Sequence, residues 1–346
     1  MSRRTALLSG RDMFLPQAFC CIGSTIYGRQ QSMRDHFISY KKAAILLLFL
    51  TLFVSGCSGR NENRADERPT EKLESASERV IILETVPPEP AVTEENWEHY
   101  FDGINGAAVI YNPAESSYHI YNQEMALTQR SPCSTFKIIS SLIALENGMI
   151  VPGDSVREWS GEIFWNEDWN RDIGFEDAFR TSCVWYYRKV IDDIGKETMQ
   201  EELNRLHYGN CDISDWEGKM NTNNHNRALT GFWIESSLKI SPKEQAEVME
   251  RIFGDGSVYS QETQDSLKQV MLLTEVSSTE AMIYGKTGMG KANGVTVDAW
   301  FTGFADMDDK RVYFCIYLGE TEGKDVSGTK AKEIAVEMIA DLERTR

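Results

Sequence analysis

The sequence predicts an α+β domain, a β-sheet covered by helices, and three observations predict it. Strand-like runs stand near both ends of residues 96–346, at 107–111 and 118–121 and again at 282–285, 297–304 and 312–318. Between them Ile138, Ile139, Leu142, Ile143 and Leu145 form the apolar run of a buried helix. The chain then closes on 331–342, whose apolar spacing is again helical. Strands at both ends with helices between them are the α+β pattern.

The N-terminal elements come first in order. Residues 1–32 hold scattered charges, Cys20-Cys21 and no sustained apolar core, so translation is expected to begin at Met33. Lys41 and Lys42 then precede an apolar run over 43–54, and Val54-Ser55-Gly56-Cys57 resembles a bacterial lipobox. A run this short suits the apolar region of a signal peptide better than a membrane span. Residues 33–57 are therefore read as a lipoprotein signal peptide with Cys57 as the lipidated first residue. That makes the protein exported and lipid-anchored to the outer face of a bacterial membrane. An uncleaved anchor helix, extended under tilt, is the alternative, and both readings leave the remainder outside the cytoplasm.

Residues 58–95 read as an acidic disordered tether. Their Glu, Arg, Asn and Ser residues and the cluster Pro87-Pro88-Glu89-Pro90 bury too little apolar area to order themselves. Residues 96–346 are one enzyme-sized domain, since about 250 residues lies within the single-domain range. At 41% hydrophobic, the 346-residue chain has material for a large core. Its net charge of −17 disfavours nucleic acid or direct attraction to anionic lipid. Within the domain, 107–111 and 118–121 read as a hairpin around Asn112-Pro113. The seven cysteines and five scattered histidines show no zinc spacing, so no metal is expected.

Chemistry concentrates at Ser134-Thr135-Phe136-Lys137. A serine and a lysine three residues apart on a helix project from one face, as nucleophile and base must. Ser-x-x-Lys also occurs at Ser39/Lys42, Ser236/Lys239 and Ser327/Lys330, so context has to select among the copies. Ser39/Lys42 lies in the targeting segment, Ser236/Lys239 in an extended-looking stretch closed by Pro242, and Ser327/Lys330 after a charged loop. Only Ser134 has a helix to work from: Pro132 suits a helix start, and the apolar run continues to Gly148. Unpaired amides and the positive dipole end of a first turn favour the oxyanion of an attacked carbonyl. Gly285-Lys286-Thr287 looks like the end of a phosphate-binding loop, but Glu280 stands where that loop requires glycine, and nucleotide binding fails.

Three further motifs follow in order: Ser182-Cys183-Val184, Tyr208-Gly209-Asn210 and Lys286-Thr287-Gly288. Taken singly, Ser182 reads as a helix cap, Tyr-Gly-Asn as a turn, and Trp233 between Phe232 and Ile234 as core. Together with Ser-Thr-Phe-Lys and the segment from Phe232-Trp233-Ile234-Glu235 to Ile240-Ser241-Pro242, they resemble the class D (oxacillinase-type) serine β-lactamases of the penicillin-recognising serine enzyme superfamily. The resemblance covers roughly residues 96–346. It implies a mainly antiparallel β-sheet flanked by helices with a helical subdomain, the β-lactamase/transpeptidase-like fold, with Ser134 where the two parts meet.

The resemblance also implies roles. Ser134 attacks the lactam carbonyl, and the amides of Ser134 and Met289 form the oxyanion hole. Lys137 is the base, carbamylated by CO2 in enzymes of this class, with Trp233 stabilising the carbamate and Phe136 and Val184 keeping the surroundings partly dry. Ser182 relays protons beside Lys137. Lys286 and Thr287 hold the substrate carboxylate, Gly288 and Gly290 leave room for it, and Tyr208 and Asn210 belong to a loop at the mouth. Many class D enzymes add an arginine near the last helix; around 329–333 this chain offers none. Cys133 and Cys183 each adjoin an expected active-site serine, and either a disulfide between them or two buried thiols satisfies the sequence.

The function implied is hydrolysis of the cyclic amide C–N bond of β-lactam antibiotics, and hence antibiotic resistance. The alternatives are a β-lactam-binding sensor domain or a penicillin-binding transpeptidase, acylated in the same way but not discharged. Against the sensor stand the absence from this sequence of a multi-span N-terminal region and of a His-Glu-x-x-His zinc motif.

Overall fold

The computed structural model describes residues 89–220, 225–274, 278–308 and 310–344. The expected signal segment, Cys57 and most of the expected tether lie outside the described residues. Six strands form one sheet: β1 (Ala91–Glu94), β2 (Gly106–Asn112), β3 (Ser117–Tyr121), β4 (Met282–Ala292), β5 (Val295–Met307) and β6 (Lys310–Gly319), in the order β1-β3-β2-β6-β5-β4. Every pairing is antiparallel except β1 with β3. The sheet thus joins an early hairpin to a late meander through β2 and β6. Asn293-Gly294, both with positive φ, makes the tight turn between β4 and β5.

One expectation is corrected at the first strand. Residues 91–94 fall inside the stretch read as disordered tether, yet Ala91, Val92, Thr93 and Glu94 pair in register with Ser117, Tyr118, His119 and Ile120. All four are exposed. The order therefore comes from the ladder supplied by a distant hairpin, which composition alone does not reveal.

The helices are α1 (Glu98–Phe101), α2 (Gln123–Leu127), α3 (Lys137–Glu146), α4 (Phe175–Arg180), α5 (Val184–Ile194), α6 (Lys196–Leu206), α7 (Pro242–Phe253), α8 (Gln261–Met271) and α9 (Gly328–Arg344). Strand periodicity sorts them onto two faces. Along β2, Ala107 and Val109 face one core while Ala108 and Ile110 face the other. The second core is closed by α9, whose Ile334, Ala335 and Met338 cluster with Phe301, Phe314 and Ile316. On the opposite face, Val248, Met249 and Ile252 of α7 join Phe304 and Tyr313. The large first core then continues through α3, α5 and α8 into the helical layer. Helix α7 has a complete start signal, with Pro242 in its first turn and Ser241 and Glu244 exchanging capping hydrogen bonds.

Two other copies of Ser-x-x-Lys have structural work. Ser236 Oγ donates to Asp215 at 2.5 Å, and Ser327 Oγ accepts from Lys330 N at 3.1 Å at the start of α9. Ser39/Lys42 lies outside the described residues.

Candidate active site

Ser134 is placed by a tight turn, Cys133–Phe136, that runs directly into α3. The helix itself begins at Lys137, so Ser134 stands in the turn leading into it rather than in its first regular turn. Cys133 takes φ +50, a conformation that L-residues seldom adopt, and its N–H donates to Trp233 O at 3.0 Å. Ser131 Oγ donates to the same carbonyl at 3.1 Å. These bonds fix the approach to the nucleophile against the 231–240 segment.

Lys137 reaches back along this turn to bring Nζ within 2.9 Å of Ser134 Oγ. The lysine is 1% exposed, and its amine lies over the Tyr187 ring at 5.4 Å. Burial pushes its pKa down to about 8, partly opposed by the nearby Cys183 and Cys133 thiols. A second buried lysine, Lys286 on β4, is held well below the usual amine range by desolvation and by the charge of Lys137. Its Nζ donates to Thr287 O at 3.1 Å and lies 5.8 Å over the Phe179 ring. Two ammonium groups in one apolar surround favour loss of a proton or arrival of an anion.

Ser182 occupies the corner between α4 and α5 at φ +58. Its Oγ is buried and has no hydrogen-bond partner among the described residues, while its backbone N–H donates to Phe179 O at 3.2 Å. Trp169 Nε1 donates to Thr181 O and Trp185 Nε1 to Trp169 O, at 3.0 and 2.9 Å, so two tryptophans brace this corner. Sequence reasoning missed both, because nothing in their spacing separates a brace from ordinary core. Half-buried Val184 is the first residue of the following helix.

Strand β4 is the other wall. Among the described residues it is one of the sheet's two edge strands, and it presses on the serine turn. A Cβ on Gly288 would sit 3.0 Å from Pro132 O, and one on Gly290 3.0 Å from Cys133 Sγ. Met289 between them is 43% exposed. A cavity of about 550 Å³ opens along this edge beside Lys286 and Thr287, and its lining includes Arg180 and Lys332. Basic groups therefore adjoin the strand although the expected arginine of the last helix is absent.

The two residues expected at the mouth make structural contacts. Tyr208 is fully buried and packs edge-on against Phe136 at 5.5 Å, so it is core. Asn210 is exposed but spends its amide on backbone: Nδ2 donates to Ser237 O at 2.9 Å, and Oδ1 accepts from Lys239 N at 2.9 Å and Asp212 N at 3.1 Å. Gly209, at φ +51, passes so close that a Cβ would fall 1.9 Å from Lys239 O. Tyr-Gly-Asn thus staples its own turn to the backbone of residues 237–239. Trp233 is buried as well, with its ring 6.1 Å from that of Phe136. Cys133 and Cys183 are two buried free thiols, which decides between the two readings of the sequence. Cys133 Sγ is turned towards Gly290 on β4.

The sheet, its helical layer and the serine–lysine pair at their junction define a β-lactamase/transpeptidase-type fold. Residues 106–340 match the family model of the penicillin binding protein transpeptidase domain, and the chain belongs to that family. Its relatives include class D β-lactamases. The probable β-lactamase YbxI of Bacillus subtilis is 30% identical over 249 residues, 72% of this chain and 85% of that protein. The regulatory protein BlaR1 of Bacillus licheniformis is also 30% identical, over 72% of this chain but 39% of its own length. Among solved structures, the C-terminal domain of the Bacillus licheniformis BlaR penicillin-receptor has a TM-score of 0.63 at 29% identity, covering 74% of this chain and 98% of that one. A class D β-lactamase from Bacillus subtilis has a TM-score of 0.61 at 30% identity, covering 71% and 95%.

Proposed function

We propose that this protein hydrolyses β-lactams through an acyl-enzyme on Ser134, with Lys137 as the base. The observation that carries the proposal is the 2.9 Å approach of a buried amine, its pKa near 8, to the serine hydroxyl. Near neutral pH a fraction of such an amine is uncharged and accepts the hydroxyl proton. Ser134 Oγ then bonds to the lactam carbonyl carbon, with the developing oxyanion held by the amides of Ser134 and Met289. The ring C–N bond breaks, and the departing nitrogen takes a proton. Water next attacks the ester, giving the ring-opened acid and restoring Ser134. An anionic substrate carboxylate beside Lys286 and Thr287 would restore the charge that burial withholds from Lys286.

The residues present fit a carbamate on Lys137. The amine is buried, Ser182 Oγ is an orphaned polar atom, and Trp233 stacks on the ring of Phe136, the residue before Lys137. Ser182 and Trp233 would hold the group. When formed from CO2, it supplies a base that stays anionic near neutral pH for both acylation and deacylation. Export and lipid anchoring at Cys57 complete the proposal, placing hydrolysis outside the cytoplasm.

A second reading is favoured by the likeness to the BlaR penicillin-receptor domain: acylation without discharge, as a sensor. The test is turnover of a chromogenic cephalosporin and a penicillin by the purified protein, with the acyl-enzyme followed by mass. Repeated turnover supports hydrolysis. A stoichiometric adduct lasting for hours supports the sensor.

A further inference from the structure

Glu235 joins the two walls of the site. Its backbone N–H donates to Ser131 Oγ at 2.8 Å, and that hydroxyl donates to Trp233 O, the carbonyl that also receives Cys133 N–H. Its carboxylate Oε1 accepts from Lys291 N on β4 at 2.7 Å. One residue therefore holds the segment leading to Ser134 with its backbone and the edge strand with its side chain. Glu235 takes φ +50, a strained conformation for a non-glycine residue that turns the chain between these contacts.

The place where the carboxylate grips is significant. The β4–β5 register shifts between Gly290 and Lys291, so the regular ladder that would fix the end of β4 is interrupted there. Beyond β4 the sheet has no further strand among the described residues. Two residues before Lys291 is Met289, and Gly290 abuts Cys133, the neighbour of Ser134. Glu235 thus links the two segments that carry the amides of Ser134 and Met289.

We propose that Glu235 is a positioning residue that sets the spacing of the oxyanion-binding amides by pinning β4, opposite the bulge of β5, to the segment that leads into the serine turn. The proposal rests on acylation of Ser134. Glutamine keeps an oxygen that accepts from Lys291 N at the same reach; aspartate is one methylene too short, and alanine has no acceptor. The prediction is an ordered series: Glu235→Gln acylates nearly as fast as wild type, whereas Glu235→Asp and Glu235→Ala are slower by about tenfold or more.

The experiment measures acylation by a fluorescent penicillin at increasing concentration, separating the limiting rate from the apparent Kd. A boronic acid inhibitor, whose adduct is a tetrahedral anion, reports the oxyanion amides directly. The expected result is a fall in limiting rate with Kd little changed, and a matching fall in boronate affinity. General damage would instead lower Glu235→Gln as well or weaken Kd, and either outcome overturns the proposal. So does an alanine variant that acylates and binds boronate like wild type. Should Glu235→Ala fail to fold, the Asp and Gln variants decide the same question. Absence of labelling in the wild-type protein would count against the acylation reading itself, before any variant is compared.

Discussion

Lys137 Nζ lies 2.9 Å from Ser134 Oγ, and burial leaves that amine with a pKa of about 8. Below this value the ammonium donates to the hydroxyl and cannot take its proton. Above it the amine is free to accept. The rate of acylation by a fluorescent penicillin should therefore climb between about pH 6 and about pH 9, and Ser134→Ala should not be labelled at any pH. A flat profile would remove the free amine of Lys137 as the base and leave the carbamate in its place; a labelled alanine variant would remove Ser134 as nucleophile.

The same burial makes Lys137 costly to the fold. The unfolded chain holds its proton up to about 10.5, the folded protein only to about 8, so protonation favours unfolding between these values. The penalty is full below about pH 8 and fades as the pH rises towards 10.5. Lys137→Met, which fills similar space without a charge, should be inactive yet more stable by up to about 3 kcal/mol near pH 7. Urea unfolding at about pH 7 and about pH 10 checks this, since the gain should shrink at the higher pH. A variant less stable than wild type at neutral pH would contradict it.

Tyr208 and Asn210 should separate cleanly. The Tyr208 hydroxyl is buried beside that of Thr135, which already donates to Pro132 O and accepts from Gln245, so Tyr208→Phe leaves no buried partner stranded and should cost about 1 kcal/mol or less. Asn210→Ala breaks three bonds to the backbone of residues 212, 237 and 239 and should cost about 1–3 kcal/mol. Thermal unfolding of the two variants distinguishes a staple from a substrate contact. Equal stability of Asn210→Ala and wild type would rule out the staple.

The parts readable in sequence were those with their own periodicity. The hairpin expected at 107–111 and 118–121 is present at Gly106–Asn112 and Ser117–Tyr121, and the final helix expected at 331–342 occupies Gly328–Arg344. The strand expected at 282–285 continues to Ala292, through Gly285, Gly288 and Gly290. Glycine weakens a strand pattern in sequence, yet here it is required because the serine turn packs against the strand. Glu235 was legible only as part of a motif, since a carboxylate that grips a distant backbone N–H leaves no periodic trace. The bond exists because β4 and the 231–240 segment meet in the fold, 56 residues apart.

The thiol state gives a chemical check on the site. Cys133, Cys183, Cys211 and Cys315 are free among the described residues. Burial pushes the Cys133 thiol up to about 12 and Cys183 to about 11, which makes both poor nucleophiles towards disulfides while folded. Denatured protein spanning residues 89–346 should titrate these four thiols equally with and without prior reduction. A count that rises on reduction would show a bridge.

Gly288 tests how closely β4 must approach the nucleophile. An added Cβ would meet Pro132 O and Thr135 Cγ2 at 3.0 Å and Thr135 N at 3.2 Å, and two of these neighbours are backbone atoms of the turn that holds Ser134. They cannot yield without moving either the serine or the strand that carries Met289. Displacements of this kind, a few tenths of an ångström, are felt by a reaction that depends on the alignment of hydroxyl, carbonyl and amides. Gly288→Ala should slow acylation by about tenfold or more while lowering the melting temperature little, because an edge strand has room to shift outward. Gly256→Ala, where the added carbon meets open space, is the control and should behave like wild type in acylation rate. If Gly288→Ala acylates as fast as this control, the contact between β4 and the serine turn does not limit the chemistry.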